Sequence, residues 1–330
     1  MLQDPYGRQI TYLRISVTDR CNFRCVYCMP VDGVPWQPPA AIMKYEEIAD
    51  VVRVAASQGI NEVRLTGGEP LVRKDLPELV RLINAIPGIE DISLTTNGIL
   101  LDRMAAPLAQ AGLKRVNISL DTLDPGKFAR ITRGGSLARF WDGLRAAELA
   151  GLNPIKLNVV AMRGVNEDEL VDLARLSMDH NWQVRFIEIM PIRNQDSWGP
   201  DFPSPDSVYL SIREMLKILE PLGLEPEGDA RIIGNGPARG YRLHGAVGTI
   251  GFISPLGEKF CDRCNRLRLT ADGFLRPCLL KEIEIPVLPA LRAGEPILPL
   301  LQKAVALKPS SHELEEESYS TGRCMRQIGG

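Results

Sequence analysis

Short apolar runs alternate with longer amphipathic stretches over about the first 220 residues of the chain. The short runs have the length of β-strands, whereas the longer stretches, such as 45–57 and 168–178, repeat their apolar positions at helical spacing. The predicted strands are 12–17, 62–66, 91–95, 115–120, 155–161 and 184–189. Strands separated by helices predict a parallel sheet, and right-handed crossovers would curl it into an α/β fold, a partial (β/α)6 TIM-like barrel.

The pattern changes after Pro221. Glycines become frequent between 228 and 257, and the runs between them have the length of short antiparallel strands. We therefore expect two regions: a barrel over 1–222, and a C-terminal α+β extension over 223–330 that closes the open side of the barrel.

Composition narrows the classes of function. The chain has 45% hydrophobic residues, 24% charged residues and a formal net charge of -2. A nonspecific nucleic-acid binder would carry a basic excess, so we expect no nucleic-acid partner. We find no apolar stretch of membrane-spanning length and no targeting segment, which predicts a cytoplasmic protein without membrane contact.

Three cysteines follow the first predicted strand at C-x3-C-x2-C spacing: Cys21, Cys25 and Cys28. At the chain's own frequency of 7 cysteines in 330 residues, this spacing would arise by chance roughly 0.003 times. A cubane iron-sulfur cluster takes four thiolates, so three leave one iron open to another ligand. A structural zinc site would need a fourth protein ligand, and no histidine lies near in the sequence.

A second group of three cysteines, Cys261, Cys264 and Cys278, lies near the C-terminus. The Asp272-Gly273 pair between them is a hairpin turn signal, and it places Cys264 and Cys278 together at the open end, beside Cys261.

Alternation along the first strand of that hairpin separates two kinds of side chain. Arg266 and Arg268 share one face, and Leu267 and Leu269 share the other. Two guanidinium groups next to a second open cluster predict a clamp for an anion, with forks suited to phosphate oxygens.

Polar and glycine-rich residues follow the other predicted strands where these end: 66–70 (TGGEP), 95–98 (TTNG), 117–121 (NISLD) and Met190. The carboxyl ends of barrel strands share one mouth, so these residues are expected to meet there. Gly67 and Gly68 would let backbone groups approach a ligand, and Glu69 could accept a hydrogen bond from an ammonium.

The cysteine spacing and the GGEP segment resemble the radical S-adenosylmethionine (SAM) superfamily. This resemblance implies a 4Fe-4S cluster whose unique iron is chelated by SAM, and cleavage of SAM to a 5′-deoxyadenosyl radical. It also implies contacts with SAM from residues at the mouth: Tyr27, Gly67, Gly68, Glu69, Asn97, Ser119 and Met190.

Three further segments narrow the resemblance: GFISP at 251–255, FCDRCNRLRLTADG at 260–273, and the terminal Gly329-Gly330. Together with YLRISVTDR at 12–20 they resemble the GTP 3′,8-cyclase family. This implies a lyase with two 4Fe-4S clusters that converts GTP to (8S)-3′,8-cyclo-7,8-dihydroguanosine 5′-triphosphate, the first step of molybdenum cofactor biosynthesis. An external electron donor, a homodimer and hand-over of the product to cyclic pyranopterin monophosphate synthase are implied as well.

The same resemblance assigns roles to individual residues. The GTP-binding residues would be Arg14, Arg64, Thr95, Lys156, Arg266, Leu267 and Arg268. The catalytic residues would be Arg14, Lys156, Arg185, Gly329 and Gly330.

The chain departs from the family pattern at two positions. Glu62 stands where many relatives have lysine, so either its carboxylate turns outward or another cation compensates for it. Arg193 lies in a run expected to be acidic and is a candidate replacement cation.

Two other interpretations compete with this one. A radical SAM peptide maturase would also carry C-terminal clusters, but it needs no phosphate clamp. A noncatalytic metal-binding interaction protein could use both cysteine groups structurally. Cys324 is expected to be a nonligand thiol.

Overall fold

The computed structural model describes residues 1–190, 198–226, 237–312, 323 and 325–328. The strands in this part of the chain are β1 Tyr12–Ser16, β2 Glu62–Thr66, β3 Asp91–Thr96, β4 Arg115–Ser119, β5 Lys156–Ala161, β6 Gln183–Glu188, β7 Leu224–Pro226, β8 Arg239–Leu243, β9 Thr249–Ile253, β10 Arg266–Leu269, β11 Phe274–Arg276 and β12 Ile285–Pro286. The α-helices are α1 Tyr45–Ser57, α2 Leu76–Asn84, α3 Leu101–Ala111, α4 Pro125–Thr132, α5 Leu137–Leu149, α6 Leu170–Asp179, α7 Ile212–Leu219, α8 Leu288–Arg292, α9 Leu298–Ala306 and α10 Met325–Ile328.

The six predicted strands form the parallel centre of one sheet, in the order β1 to β6. The predicted ends agree with the observed ones to within one residue. The predicted helix 168–178 begins later, because residues Glu167–Glu169 form a 3-10 turn before α6. The partial (β/α)6 barrel is therefore confirmed.

Strands from the C-terminal region extend this sheet at both edges. β9 pairs in parallel with β6, and β10 pairs in parallel with β1. Each then continues into antiparallel strands, β8 and β7 on one side and β11 and β12 on the other. Strands β7 to β12 thus cover the edges that the six-stranded barrel leaves open.

The two faces of the central strands differ in polarity. Leu13, Ile15, Val63 and Leu65 are fully buried on the face that packs against the helices. Side chains alternate along a strand, so the other face, which lines the barrel, carries the intervening residues such as Arg14. A barrel of this type is usually filled by branched apolar side chains. This one is lined by polar and charged groups, which suits an interior that holds a polar ligand.

Local signals in the sequence explain where helices begin. Ser211 and Glu214 form a capping box at α7, with the Ser211 hydroxyl accepting from the Glu214 backbone and the Glu214 carboxylate accepting in return. In the described part of the chain, no helix is both long enough and apolar enough to cross a membrane.

Candidate functional site

The first triplet (Cys21, Cys25 and Cys28) lies in the loop that follows β1. The backbone N–H of Val26 donates to Ile131 O at 3.0 Å, which ties the loop to the end of α4. The Arg133 guanidinium donates to Met29 O at 2.8 Å, directly after Cys28. Arg133 adopts a left-handed backbone (φ 54°) at the end of α4, a conformation that costs energy in a non-glycine residue. The loop is therefore held in place from outside by a strained arginine.

Tyr27, inside the first triplet, is fixed by a buried carboxylate. Its hydroxyl donates to Asp121 Oδ2 at 2.7 Å, and the Val160 backbone N–H donates to Asp121 Oδ1 at 2.9 Å. Burial raises the pKa of Asp121 to about 6. Desolvation, followed by Cys28, Asp121 and Cys21, raises the pKa of the Cys25 thiol well above its ordinary value. Burial thus favours the neutral thiol at Cys25, and binding to a cluster iron would favour the thiolate.

Gly67 and Gly68 pack against the start of the cysteine loop. A Cβ at Gly67 would lie 2.5 Å from Thr18 O, and one at Gly68 would lie 2.3 Å from Arg20 O. The Gly68 N–H donates to Thr18 O at 2.8 Å. The close approach that the structure shows is thus between two chain segments, whereas the sequence had suggested only an approach to a ligand.

Glu69 joins the ends of β2 and β3. Its buried carboxylate accepts hydrogen bonds from Thr96 Oγ1 at 2.7 Å, Asn97 N at 2.7 Å and Leu71 N at 3.0 Å. Burial raises the pKa of Glu69 to about 7 despite these bonds. Asn97 also donates from Nδ2 to Asn22 Oδ1 at 2.8 Å, so the strand ends and the cysteine loop meet as predicted.

Ser119 and Met190, two of the predicted SAM contacts, lie in different surroundings. Ser119 ends β4 and is half-buried at the same mouth. Met190 packs instead in an apolar cluster around Leu280 that also includes Cys278, one of the second group of cysteines. Its predicted contact with SAM stays a prediction.

The second triplet (Cys261, Cys264 and Cys278) lies at the other end of the strands. Cys264 precedes β10 and Cys278 follows β11, so the hairpin places both at the end where β10 begins. β10 starts beside Tyr12, the first residue of β1, whereas the first triplet follows the last residue of β1. The five residues of β1 span about 13 Å at the rise of a strand. The two triplets therefore lie at opposite ends of the barrel wall.

The thiols of the second triplet are surrounded by donors and cations. Burial alone would raise the pKa of Cys264, but Arg266 and Lys308 outweigh it and lower the pKa to about 7. Hydrogen bonds from His312 and Ser311 likewise outweigh burial and lower the pKa of Cys261 to about 7. Sequence spacing gave no sign of Lys308 or His312, because both come from a segment more than 30 residues beyond the hairpin.

Four arginines line the barrel between the two triplets, and we call them the arginine row (Arg268, Arg14, Arg64 and Arg115). Arg14 lies between Arg268 and Arg64 in the strand register, and Ser93 separates Arg64 from Arg115. Burial and then Arg268 lower the pKa of Arg14. Burial and then Arg266 lower the pKa of Arg268 to about 10. So many neighbouring cations stabilise an anion between them.

Lys156 and Arg185 extend this positive lining. Lys156 is 2% exposed, and burial followed by Arg185 lowers its pKa to about 6. Arg185 Nη2 donates to Asn117 Oδ1 at 2.7 Å and to Asn158 Oδ1 at 2.6 Å. Within the described residues, Arg185 Nε and Thr95 Oγ1 are buried and have no hydrogen-bond partner. Buried polar groups are rarely left unpaired, so these two atoms are candidates for hydrogen bonds to a ligand.

Glu62 lies on the interior face, near cations. Its Oε2 is 3.8 Å from Arg115 Nη2, and Arg115 also donates from Nε to Asp91 Oδ2 at 3.0 Å. Burial and then Asp91 raise the pKa of Glu62, whereas Arg115, Arg64 and Lys156 oppose that shift. The outward orientation considered from the sequence is therefore wrong, and Arg115 is the compensating cation.

The remaining sequence predictions are placed as follows. The Leu267 side chain is fully buried on the face opposite Arg268, so only its backbone could contact a ligand in the barrel. Arg266 stacks over the Phe260 ring at 4.8 Å. Gly329, Gly330, Arg193 and Cys324 lie outside the described residues.

Whether the ligands converge on one point distinguishes a site for a single metal ion from a site for a cluster. Across the ranges that the structure describes, no three His, Cys, Asp or Glu side chains surround a position for one metal ion. A single zinc ion requires such convergence, because its ligands all bind one atom. In a four-iron cluster each thiolate binds a different iron. Within the described residues the two triplets therefore fit four-iron clusters better than single zinc ions.

Two family models match the chain in tandem. The model of the radical SAM superfamily matches residues 15–177, and the model described as Molybdenum Cofactor Synthesis C matches residues 182–314. The first match contains the first triplet, and the second contains the second triplet and the arginine hairpin.

Full-length relatives agree with both matches. The chain is 50% identical over 337 residues to a GTP 3′,8-cyclase of Pelotomaculum thermopropionicum, and the match covers 100% of both chains. It is 51% identical over 332 residues to a GTP 3′,8-cyclase of Moorella thermoacetica, again with 100% of both chains covered.

A solved structure shares the fold at low identity. Streptococcus suis SuiB bound to S-adenosylmethionine matches with a TM-score of 0.58 and 13% identity, over 89% of this chain and 66% of that one. At this identity the likeness concerns the fold alone, and it agrees with the partial barrel described above.

Proposed function

Since the chain belongs to the GTP 3′,8-cyclase family of the radical SAM superfamily, we propose that it converts GTP to (8S)-3′,8-cyclo-7,8-dihydroguanosine 5′-triphosphate. This reaction is the first step of molybdenum cofactor biosynthesis. The single observation that carries the proposal is the arginine row, which lines the barrel between two separate cysteine triplets.

Each cysteine triplet would hold one 4Fe-4S cluster, and SAM would bind at the first. Cys21, Cys25 and Cys28 would hold one 4Fe-4S cluster, with Tyr27, Gly67, Gly68, Glu69, Asn97, Ser119 and Met190 around SAM. Cys261, Cys264 and Cys278 would hold the other. When bound, these groups supply a 5′-deoxyadenosyl radical at the first site and an anchoring iron for guanine at the second.

The chain's own residues position the substrate. Arg14, Arg64 and Arg268 present guanidinium groups to an anion along the barrel wall, and a triphosphate needs such partners when it is buried. Lys156 and Arg185 are each 2% exposed and extend the same positive lining. Thr95 Oγ1 and Arg185 Nε would gain the hydrogen-bond partners that they lack. The buried lining also keeps water away from the reacting carbon atoms.

The C-terminal tail supports a role for the last two residues. Ile328 is 1% exposed, and its carbonyl accepts from Arg268 Nη1 at 3.4 Å. The tail therefore reaches the arginine row just before Gly329 and Gly330, for which we propose a catalytic role. The division at 222/223, a homodimer, an external electron donor, a cytoplasmic location and hand-over to cyclic pyranopterin monophosphate synthase remain proposals.

The test is anaerobic incubation of the reconstituted protein with GTP, SAM and dithionite. We expect GTP-dependent 5′-deoxyadenosine together with a cyclised nucleotide, and roughly eight irons per chain. Arg268→Ala should lose most of the cyclised nucleotide while retaining iron. Absence of both products from iron-loaded protein, or stoichiometric zinc in place of iron, would overturn the proposal.

A further inference from the structure

The segment 308–312, which follows α9, runs beside the second triplet. Lys308 at its start is 3% exposed, although lysine is almost never buried without partners. Its Nζ lies 3.4 Å from Cys264 Sγ and donates to Arg266 O at 2.7 Å and to Pro277 O at 2.9 Å. An ammonium group has three N–H donors, so these three contacts use all of them.

The three acceptors belong to two different stretches of chain. Arg266 lies two residues after Cys264, and Pro277 directly precedes Cys278. One ammonium group therefore joins the chain at the start of β10 to the chain at the end of β11. The turn at Asp272-Gly273 connects β10 and β11 at one end of the hairpin. Lys308 links the two strands at the other, open end.

The rest of the segment is also held against this site. Arg8 donates to Cys261 O, to Ser310 O at 3.1 Å and to Pro309 O at 2.6 Å. Arg8 is itself buried and paired with Asp4. Lys308 is thus set in place by the N-terminal segment as well as by its own acceptors.

We propose that Lys308 is a positioning residue of the second cluster, whose ammonium group fixes the separation of Cys264 and Cys278 and places a positive charge beside a ligand sulfur. This inference rests on the proposed function, in which the second triplet holds a cluster. Hydrogen bonds to sulfur and nearby charge set the reduction potential of such clusters. A cation stabilises the more negative reduced state, so Lys308 raises the midpoint potential of this cluster.

The test uses full-length protein in which Cys21, Cys25 and Cys28 are replaced by alanine, so that only the second cluster is present. In this parent, Lys308→Met should release iron to excess chelator several-fold faster and have a more negative midpoint potential in an EPR-monitored redox titration. Lys308→Gln retains N–H donors without the charge, so it should regain most of the iron retention but keep the lowered potential. Lys303→Met, an exposed lysine on α9, is the matched control and should change neither.

The outcomes separate this inference from the proposed function. A parent that binds no iron and sulfide overturns the cluster assignment and, with it, the role of Lys308. A loaded parent whose Lys308→Met variant keeps either its iron retention or its midpoint potential overturns the role of Lys308 alone. So does a Lys308→Gln variant that loses iron as fast as Lys308→Met. Far-UV circular dichroism of each apo variant shows that the comparison is made between folded proteins.

Discussion

At the scale of single residues, the barrel interior brings several buried cations close together. Lys156 is the clearest case, because burial and Arg185 lower its pKa to about 6. Near neutral pH its amine is mostly uncharged in the free protein. A bound triphosphate would favour the charged form and raise that pKa again.

We therefore predict that GTP binding takes up a proton through Lys156. Between pH 8 and about 6 the free protein lacks this proton and the complex holds it, so apparent affinity for GTP rises as pH falls and levels off near pH 6. Anaerobic calorimetry in buffers of different ionisation enthalpy measures the uptake. Lys156→Met should lose close to one proton of uptake at pH 7.5, and equal uptake in both proteins would contradict this assignment.

Glu62 gives a second prediction at this scale. Its carboxylate lies on the interior face with Arg64 and Arg115, where it weakens the field that attracts phosphate. Glu62→Gln should bind GTP roughly fivefold more tightly, because an interaction of this kind is worth on the order of 1 kcal/mol where water still screens it.

A comparison with guanosine isolates the effect that the charge of Glu62 has on binding of the phosphates. Dissociation constants for guanosine should be the same in Glu62→Gln and the parent, since guanosine carries no phosphate. Glu46→Gln changes an exposed carboxylate on α1 and should leave both ligands unaffected. A Glu62→Gln variant that tightens guanosine as much as GTP would show that the carboxylate acts by another route.

At the scale of elements, glycine at the end of β2 allows two segments to touch. A Cβ at position 68 would lie 2.3 Å from Arg20 O, which is backbone and cannot turn aside. Gly68→Ala should push the cysteine loop away from β2 at a cost of about 1–3 kcal/mol in stability.

The measurable result of Gly68→Ala is loss of the first cluster alone. Iron content should fall from roughly eight to roughly four per chain after reconstitution. Gly126→Ala, in the first turn of α4, meets only the end of an Asp124 side chain and should keep its iron. Full iron loading of Gly68→Ala would show that the loop tolerates the displacement.

The elements also show which parts of the site the sequence could predict. Period-two alternation predicted that Arg266 and Arg268 share a face, because that depends on neighbouring residues only. Cysteine spacing predicted both triplets for the same reason. Lys308 and His312 could not be predicted, since they reach Cys264 and Cys261 across 44 and 51 residues of chain. The backbone contact that requires Gly68 was likewise a matter of tertiary packing.

At the scale of the whole molecule, the C-terminal region completes the sheet at both edges. The frequent glycines after Pro221 predicted a change of structure there. They did not predict that β9 and β10 would pair in parallel with opposite edges of the six-stranded sheet. The β9–β6 pairing joins residues 66 apart in the chain and the β10–β1 pairing joins residues 254 apart, and pairing at such separations leaves no local signal. The arrangement places the second triplet on the hairpin beside β1, at the end of the barrel away from the first.

This topology predicts that residues 1–222 will not fold alone. Without β9 and β10, the edges of β6 and β1 lose their partners, and the apolar surface that packs on Leu267 and Phe252 is exposed. The fragment should be insoluble or aggregated in size-exclusion chromatography, whereas the full chain elutes as a defined species. A monodisperse fragment with cooperative thermal unfolding would contradict the prediction.

The central claim is that a radical generated at the first triplet acts on a nucleotide held between the two triplets. The most direct test is anaerobic turnover with GTP that carries deuterium at C3′, followed by mass spectrometry of the 5′-deoxyadenosine formed. The account predicts one deuterium in 5′-deoxyadenosine, and formation of 5′-deoxyadenosine that depends on GTP. Unlabelled 5′-deoxyadenosine, formed at the same rate without GTP, would contradict it.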